Sequence, residues 1–171
     1  DITKKDLETA IERGYISGFQ HDIRNRPFPY KDGFFDAVIC SHILEHLEHP
    51  GEVLEELQRV MKKDGLLIVG VPIGLLPGIL WRRYITPLYN PRKRKEEALR
   101  RFEHVSFFSL PELKKLLKKY GFITEEARGN YFIRARKFLL EDQKWWYDFN
   151  QGYGKIFPGV LGHVTVKARL R

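Results

Sequence analysis

The sequence predicts an α/β protein built on a mostly parallel sheet with helices on both faces. Three observations carry that expectation. Short apolar runs of the kind buried strands use recur along the chain, as in Phe35 to Cys40 (FDAVIC) and Leu66 to Val71 (LLIVGV). Amphipathic segments of about a dozen residues separate them. Capping and turn residues stand at the joins, which is the alternation a helix-covered parallel sheet requires.

The elements follow in order. Thr3 is placed to cap a helix with Asp6 three residues on; Leu7, Ala10 and Ile11 form its stripe and Gly14 ends it. Tyr15 to Gln20 reads as a strand closed by His21-Asp22, and Asn25 to Gly33 (NRPFPYKDG) is turn chemistry. After the Phe35 strand, Pro50 to Gly65 is the clearest helix. Val53, Leu54, Leu57, Val60 and Met61 share one face, glutamates load its start and basic residues its end, and Gly65 is its stop. The Leu66 strand comes next.

Further on, Ser109-Leu110-Pro111-Glu112 forms a capping box for a helix carrying Leu113, Leu116 and Leu117, ended by Gly121. Phe122 to Glu126 is a strand, and Tyr131 to Asn150 is helical, aromatic and charged. Gly152-Tyr153-Gly154 reads as a turn, and His163 to Leu170 as a strand with one wet face. With 171 residues, 43% of them hydrophobic, the chain suits one core, so residues 1–171 are taken as a single domain.

Composition narrows the function classes. A lone cysteine, Cys40, forms no internal disulfide, and no signal peptide is visible. The longest uncharged run, Leu66 to Trp81, is shorter than a membrane span and is broken by Pro72 and Pro77. A cytoplasmic location is the expectation. The net charge of +8 is uneven: Arg82, Arg83, Arg92, Lys93, Arg94, Lys95, Arg100 and Arg101 meet only Glu96, Glu97 and Glu103. Residues 73–103 thus stand out as a basic, aromatic insertion or lid.

The densest chemistry lies in CSHILEHLEHP, residues 40–50. His42 to His46 matches H-x-x-E-H, the inverted zinc-protease pattern, which needs both histidines on one face of a long helix. Pro50 follows too closely for such a helix, so no metal is expected. The segment instead follows a strand, where α/β sheets bind ligands.

Gln20-His21-Asp22, then Arg26 to Leu47 (RPFPYKDGFFDAVICSHILEHL), resembles the central signature of class I S-adenosylmethionine-dependent methyltransferases. Lys63-Asp64-Gly65 before the next strand and Glu103-His104-Val105-Ser106 before the capping box agree with it. The likeness covers residues 1–72 and 103–126 well and 156–171 loosely. It implies a Rossmann-like sheet with an antiparallel C-terminal strand, and S-adenosylmethionine as cofactor.

The resemblance also implies residue roles. Asp22 would meet the adenine amino group beside the Ile23 backbone, Ser41 and His42 would line the sulfonium end, and Asp1 would hold the ribose hydroxyls. His104 would face the substrate as the catalytic residue, and Asp36 would brace the loop. Some members hold a divalent metal with Glu-x-x-Glu-His in this loop. Here His42 replaces the first glutamate, which disfavours magnesium, and Glu45-His46 reads as structural. His21, His49 and His163 read as surface or cap residues.

The family's glycine-rich loop and N-terminal strands are absent from this sequence. Either a further N-terminal segment supplies them or the cofactor site has been lost. The expected activity is methyl transfer to a small-molecule or lipid-like acceptor. One rival is an RNA-modifying or RNA-binding protein using the basic segment with Trp145, Trp146 and Tyr147, although no RNA-binding module is recognisable. A peripheral membrane contact through residues 73–103 is a further expectation, and a non-catalytic interaction protein is the third reading.

Overall fold

The computed structural model describes residues 4–14, 18, 20–74, 105–129, 143–160 and 162–171. The elements are α1 (Lys4–Glu12), β1 (Phe35–Ser41), a 3-10 turn (Leu44–His46), α2 (Pro50–Val60), β2 (Met61–Ile73), α3 (Leu110–Lys119), β3 (Phe122–Gly129), α4 (Lys144–Ile156) and β4 (Gly162–Leu170). The four strands form one sheet in the order β1-β2-β4-β3. β1 and β2 are parallel, and β4 runs antiparallel to both β2 and β3. Three strands therefore point one way and the C-terminal strand returns between them, an α/β arrangement.

The register sorts side chains by face. Val38 and Cys40 pair with Leu67 and Val69, which pair with Ala168 and Val166. This row is the core face, packed with Val53, Leu54, Leu57 and Val60 of α2 and Leu113 and Leu117 of α3. On the other face Leu66 and Ile68 are only half-buried, and Ile39 of β1 is 70% exposed.

Several local expectations hold. Gly14 leaves α1 in the left-handed region at φ 94. The capping box of α3 has both its reciprocal bonds, Ser109 Oγ accepting from the Glu112 backbone and the Glu112 carboxylate accepting from the Ser109 backbone.

Others are corrected. α2 ends at Val60 rather than at Gly65. The carbonyls of Arg59 and Val60, which another helical turn would have used, accept instead from the N–H groups of Gly33 (2.9 Å) and Phe34 (2.7 Å). Met61 to Gly65 is counted with β2, and Asp64 at φ 62 makes the turn. Gly152-Tyr153-Gly154 lies inside α4, not in a turn. A Cβ on Gly154 would collide with the Gly129 backbone, so this glycine lets helix and strand approach. β4 alternates buried Val164, Val166, Ala168 and Leu170 with half-buried Thr165, Lys167 and Arg169, but His163 near its start is buried rather than on the surface. Of the expected Tyr15–Gln20 strand, Gly18 and Gln20 are described and are not strand; the rest, with residues 75–104, lies outside the described residues.

Candidate active site

The site is built at the carboxyl ends of β1 and β2. Ser41 closes β1 opposite Gly70, and the His42 N–H continues the ladder by donating to the Gly70 carbonyl at 2.8 Å. The chain then turns sharply, with His42 in the left-handed region at φ 55. For a residue other than glycine such a conformation costs about 1–3 kcal/mol and concentrates at functional sites.

The turn carries Glu45 into the interior. Its side chain is 0% exposed, with Oε1 accepting from His42 Nδ1 at 3.2 Å and lying 4.0 Å from His46 Nε2, beyond hydrogen-bond reach. Its second oxygen, Oε2, has no hydrogen-bond partner among the described residues. The Glu45 carbonyl accepts from the N–H groups of Val105 (2.8 Å) and Ser106 (2.9 Å), while Ser106 Oγ donates to the Leu47 carbonyl at 2.6 Å. Glu45 therefore ties the turn to the segment that precedes α3. Burial of the neighbouring Cys40 thiol, and secondarily the Glu45 charge, push that thiol up to about 12. The H-x-x-E-H residues occupy a strand end and a single 3-10 turn, so no long helix presents the two histidines.

The sequence reading missed His163. Far from lying on the surface, it is 5% exposed in β4, and its ring stacks on His42 with centroids 4.4 Å apart and planes 25° from parallel. Gly70 makes the approach feasible. A Cβ there would stand 2.7 Å from Ser41 Oγ and 3.0 Å from His163 Cε1. His163 pairs across from Pro72 in the sheet, a neighbour no local pattern in the sequence announces.

Asp22 and Ile23 sit on the loop before β1. Asp22 accepts from the Arg24 backbone at 3.0 Å and from the Arg24 guanidinium at 2.6 Å, which lowers its pKa to about 2. Ile23 packs partly against the core. This loop is clamped to α2 by a network that sequence reasoning did not foresee. Glu56 accepts from the Phe28 N–H at 2.7 Å, and Arg59 donates to Glu56 (2.8 Å), Asp32 (2.7 Å) and the carbonyls of Phe28 and Tyr30.

The expected residues thus fall into groups. Ser41 and His42 come together with Glu45 and His163, and Asp22 and Ile23 occupy the α2-bound loop. Asp1 and His104 lie outside the described residues. Asp36, at the start of β1, pairs with Lys62 at 2.6 Å on the surface. His21 Nε2 donates to the Asn25 carbonyl (3.0 Å), and His49 is the exposed N-cap of α2. An open depression beside α1, lined by Leu7, Glu8, Ile11, Glu12 and Gly18, includes none of the expected site residues.

A polar cluster at the carboxyl ends of parallel strands stands where proteins built on open α/β sheets bind their ligands. The match of residues 6–127 to the model of the methyltransferase domain goes further: the chain belongs to that family, the class I S-adenosylmethionine-dependent methyltransferases. It is 27% identical over 155 residues to an uncharacterised protein of Methanocaldococcus jannaschii, covering 91% of this chain and 66% of that protein. It is 26% identical to the demethylmenaquinone methyltransferase of Lactobacillus johnsonii, over 71% of this chain and 55% of that one. The chain therefore spans less than two thirds of the length of these relatives. A crystal structure of a SAM-dependent methyltransferase from Thermotoga maritima superposes with a TM-score of 0.62 at 21% identity, covering 100% of this chain and 72% of that chain, and supports the fold.

Proposed function

We propose that the protein transfers a methyl group from S-adenosylmethionine to a small-molecule or lipid-like acceptor. The observation that carries this reading is the placement of Ser41 and His42 at the carboxyl end of β1, inside the segment that matches the methyltransferase domain. The demethylmenaquinone specificity of one relative is consistent with a lipid-like acceptor but does not transfer to this chain by itself.

The residues present suit the cofactor chemically. Gly70 contributes no side chain where Ser41 and His163 converge, so this face is lined by polar groups rather than filled by β2. Ser41 hydroxyl and backbone would hold the methionine end, and the Ile23 backbone and the ionised Asp22 would take the adenine edge, an acceptor-only carboxylate suiting an amino donor. When bound, the cofactor supplies a methyl group already activated on a sulfonium. What remains for the protein is to align an acceptor and keep water away. His104 is retained as the residue that orients the acceptor.

Isothermal titration of S-adenosylhomocysteine into the longest natural protein containing this chain tests the reading. Binding that Asp22→Ala and Ser41→Trp each weaken at least about tenfold is expected. No heat of binding in the unaltered protein would overturn it.

A further inference from the structure

Glu45 and His163 are buried polar groups at the site that cofactor binding leaves without a task. Three features converge on His42. Its Nδ1 meets the Oε1 of a carboxylate that is 0% exposed, at 3.2 Å. Its ring lies against the buried His163 at 4.4 Å. Its backbone is held at φ 55, and its side chain is 61% exposed. A carboxylate on one ring nitrogen fixes the tautomer and leaves the other nitrogen as a proton acceptor. A flat partner against the ring face holds its plane, and exposure lets a proton leave to water.

We propose that Glu45, His42 and His163 form a proton-accepting site, and that the acceptor of the methyl group is therefore a nucleophile that carries its own proton, an O–H or S–H group. The inference rests on the methyl-transfer reading above. As the acceptor oxygen or sulfur bonds to the methyl carbon, its proton moves to His42 Nε2. The methyl–sulfur bond breaks with its electron pair on the departing sulfur. The imidazolium is balanced by the Glu45 carboxylate and then loses its proton to water. Glu45 and His163 are positioning residues. Among the described residues, Glu45 meets the His42 ring from its own turn and His163 meets it from β4, while His46 lies 4.0 Å from the same Glu45 oxygen. A neutral amine needs no such site, because it attacks before it loses its proton.

The test uses the longest natural protein containing this chain. Nitrogen-resolved histidine spectra, assigned with His42→Asn, should show His42 as the Nδ1–H tautomer. Glu45→Ala should lose that preference. Glu45→Gln, which keeps the acceptor oxygen without the charge, should keep the tautomer. A wild-type Nε2–H tautomer, or a tautomer unmoved by Glu45→Ala, overturns the proposal.

Phenol and 4-nitrothiophenol then serve as probe acceptors. His42→Asn should slow methylation of phenol at least about 100-fold, within the range general-base assistance supplies. The acidic thiol, which ionises unaided, should be slowed only a few-fold. His163→Phe, which keeps a ring against His42, should restore the rate that His163→Ala loses. Failure of the wild type to bind S-adenosylhomocysteine overturns the methyl-transfer reading and this one together. Normal binding with equal phenol rates in wild type and His42→Asn overturns this one alone, as does methylation of neither probe. Activity abolished by a chelator and restored by a divalent cation would make the cluster a metal site and also overturn it.

Discussion

Glu56 shows how a single buried carboxylate holds a functional loop. It sits on α2 yet accepts from the Phe28 backbone and from Arg59, which in turn binds Asp32 and two loop carbonyls. The Arg59 hydrogen bonds, more than the Phe28 one, hold its pKa below the ordinary carboxylate value. A folded pKa that is lowered contributes stability above the unfolded value, and that contribution is lost as pH falls through the folded one. Asp22 and Glu125, both near 2, have the same sign. Thermal stability should therefore fall as pH drops from roughly 4 towards 2, and the loss should be shallower in Glu56→Gln. At neutral pH that substitution should cost about 1–3 kcal/mol, read as a drop in Tm of about 2–4 °C per kcal/mol.

Cys40 offers a second check at the same scale. Its thiol is buried and pushed up to about 12, and the thiolate is the reactive form. A disulfide-exchange reagent at pH 8 should leave it unmodified in the folded protein and react with it quickly in denaturant. Rapid labelling under native conditions would contradict the packing of β1 on α2.

Among the elements, α4 depends on close approach. Gly154 faces the Gly129 backbone, which leaves no room for a methyl group. Gly154→Ala should improve helix propensity by about 1 kcal/mol and nevertheless destabilise the protein, because α4 must lift from β3. Circular dichroism and thermal melts would separate the two effects. Ser109→Ala on α3 should cost about 1 kcal/mol through loss of the capping box.

These elements differed in how far they could be read beforehand. Ser109 and Glu112 announce α3 because a capping box is local: both partners stand within four residues of each other. Gly152 and Gly154 read as a turn because helix propensity disfavours glycine, and only β3 behind Gly154 explains that residue, while Gly152 faces open space. The end of α2 was misplaced for the same reason. Val60 and Met61 continue the helical stripe, but Gly33 and Phe34, distant in sequence, occupy the carbonyls the next turn would have used.

For the whole molecule, the sheet is asymmetric. β1 stands at one edge among the described residues, and Ile39 on it is 70% exposed. An apolar edge strand with unpaired backbone groups invites pairing with another chain. The 171-residue chain produced alone should self-associate with rising concentration in sedimentation velocity, and Ile39→Lys should reduce that while changing stability by less than about 0.5 kcal/mol. Concentration-independent monomer behaviour would count against an open edge. Among the described residues, no helix is long and apolar enough to cross a membrane.

By itself the sequence determined the α/β class, the strand FDAVIC, the cap of α3 and the position of CSHILEHLEHP after a strand, because each rests on periodicity or on partners a few residues apart. Tertiary structure alone decided that His163 is buried against His42, that Glu45 is enclosed beneath them, and that Arg59 clamps the loop bearing Asp22. Those pairings join residues separated by up to 121 positions. They depend on sheet register and on the space Gly70 leaves open, which no local pattern of residues encodes.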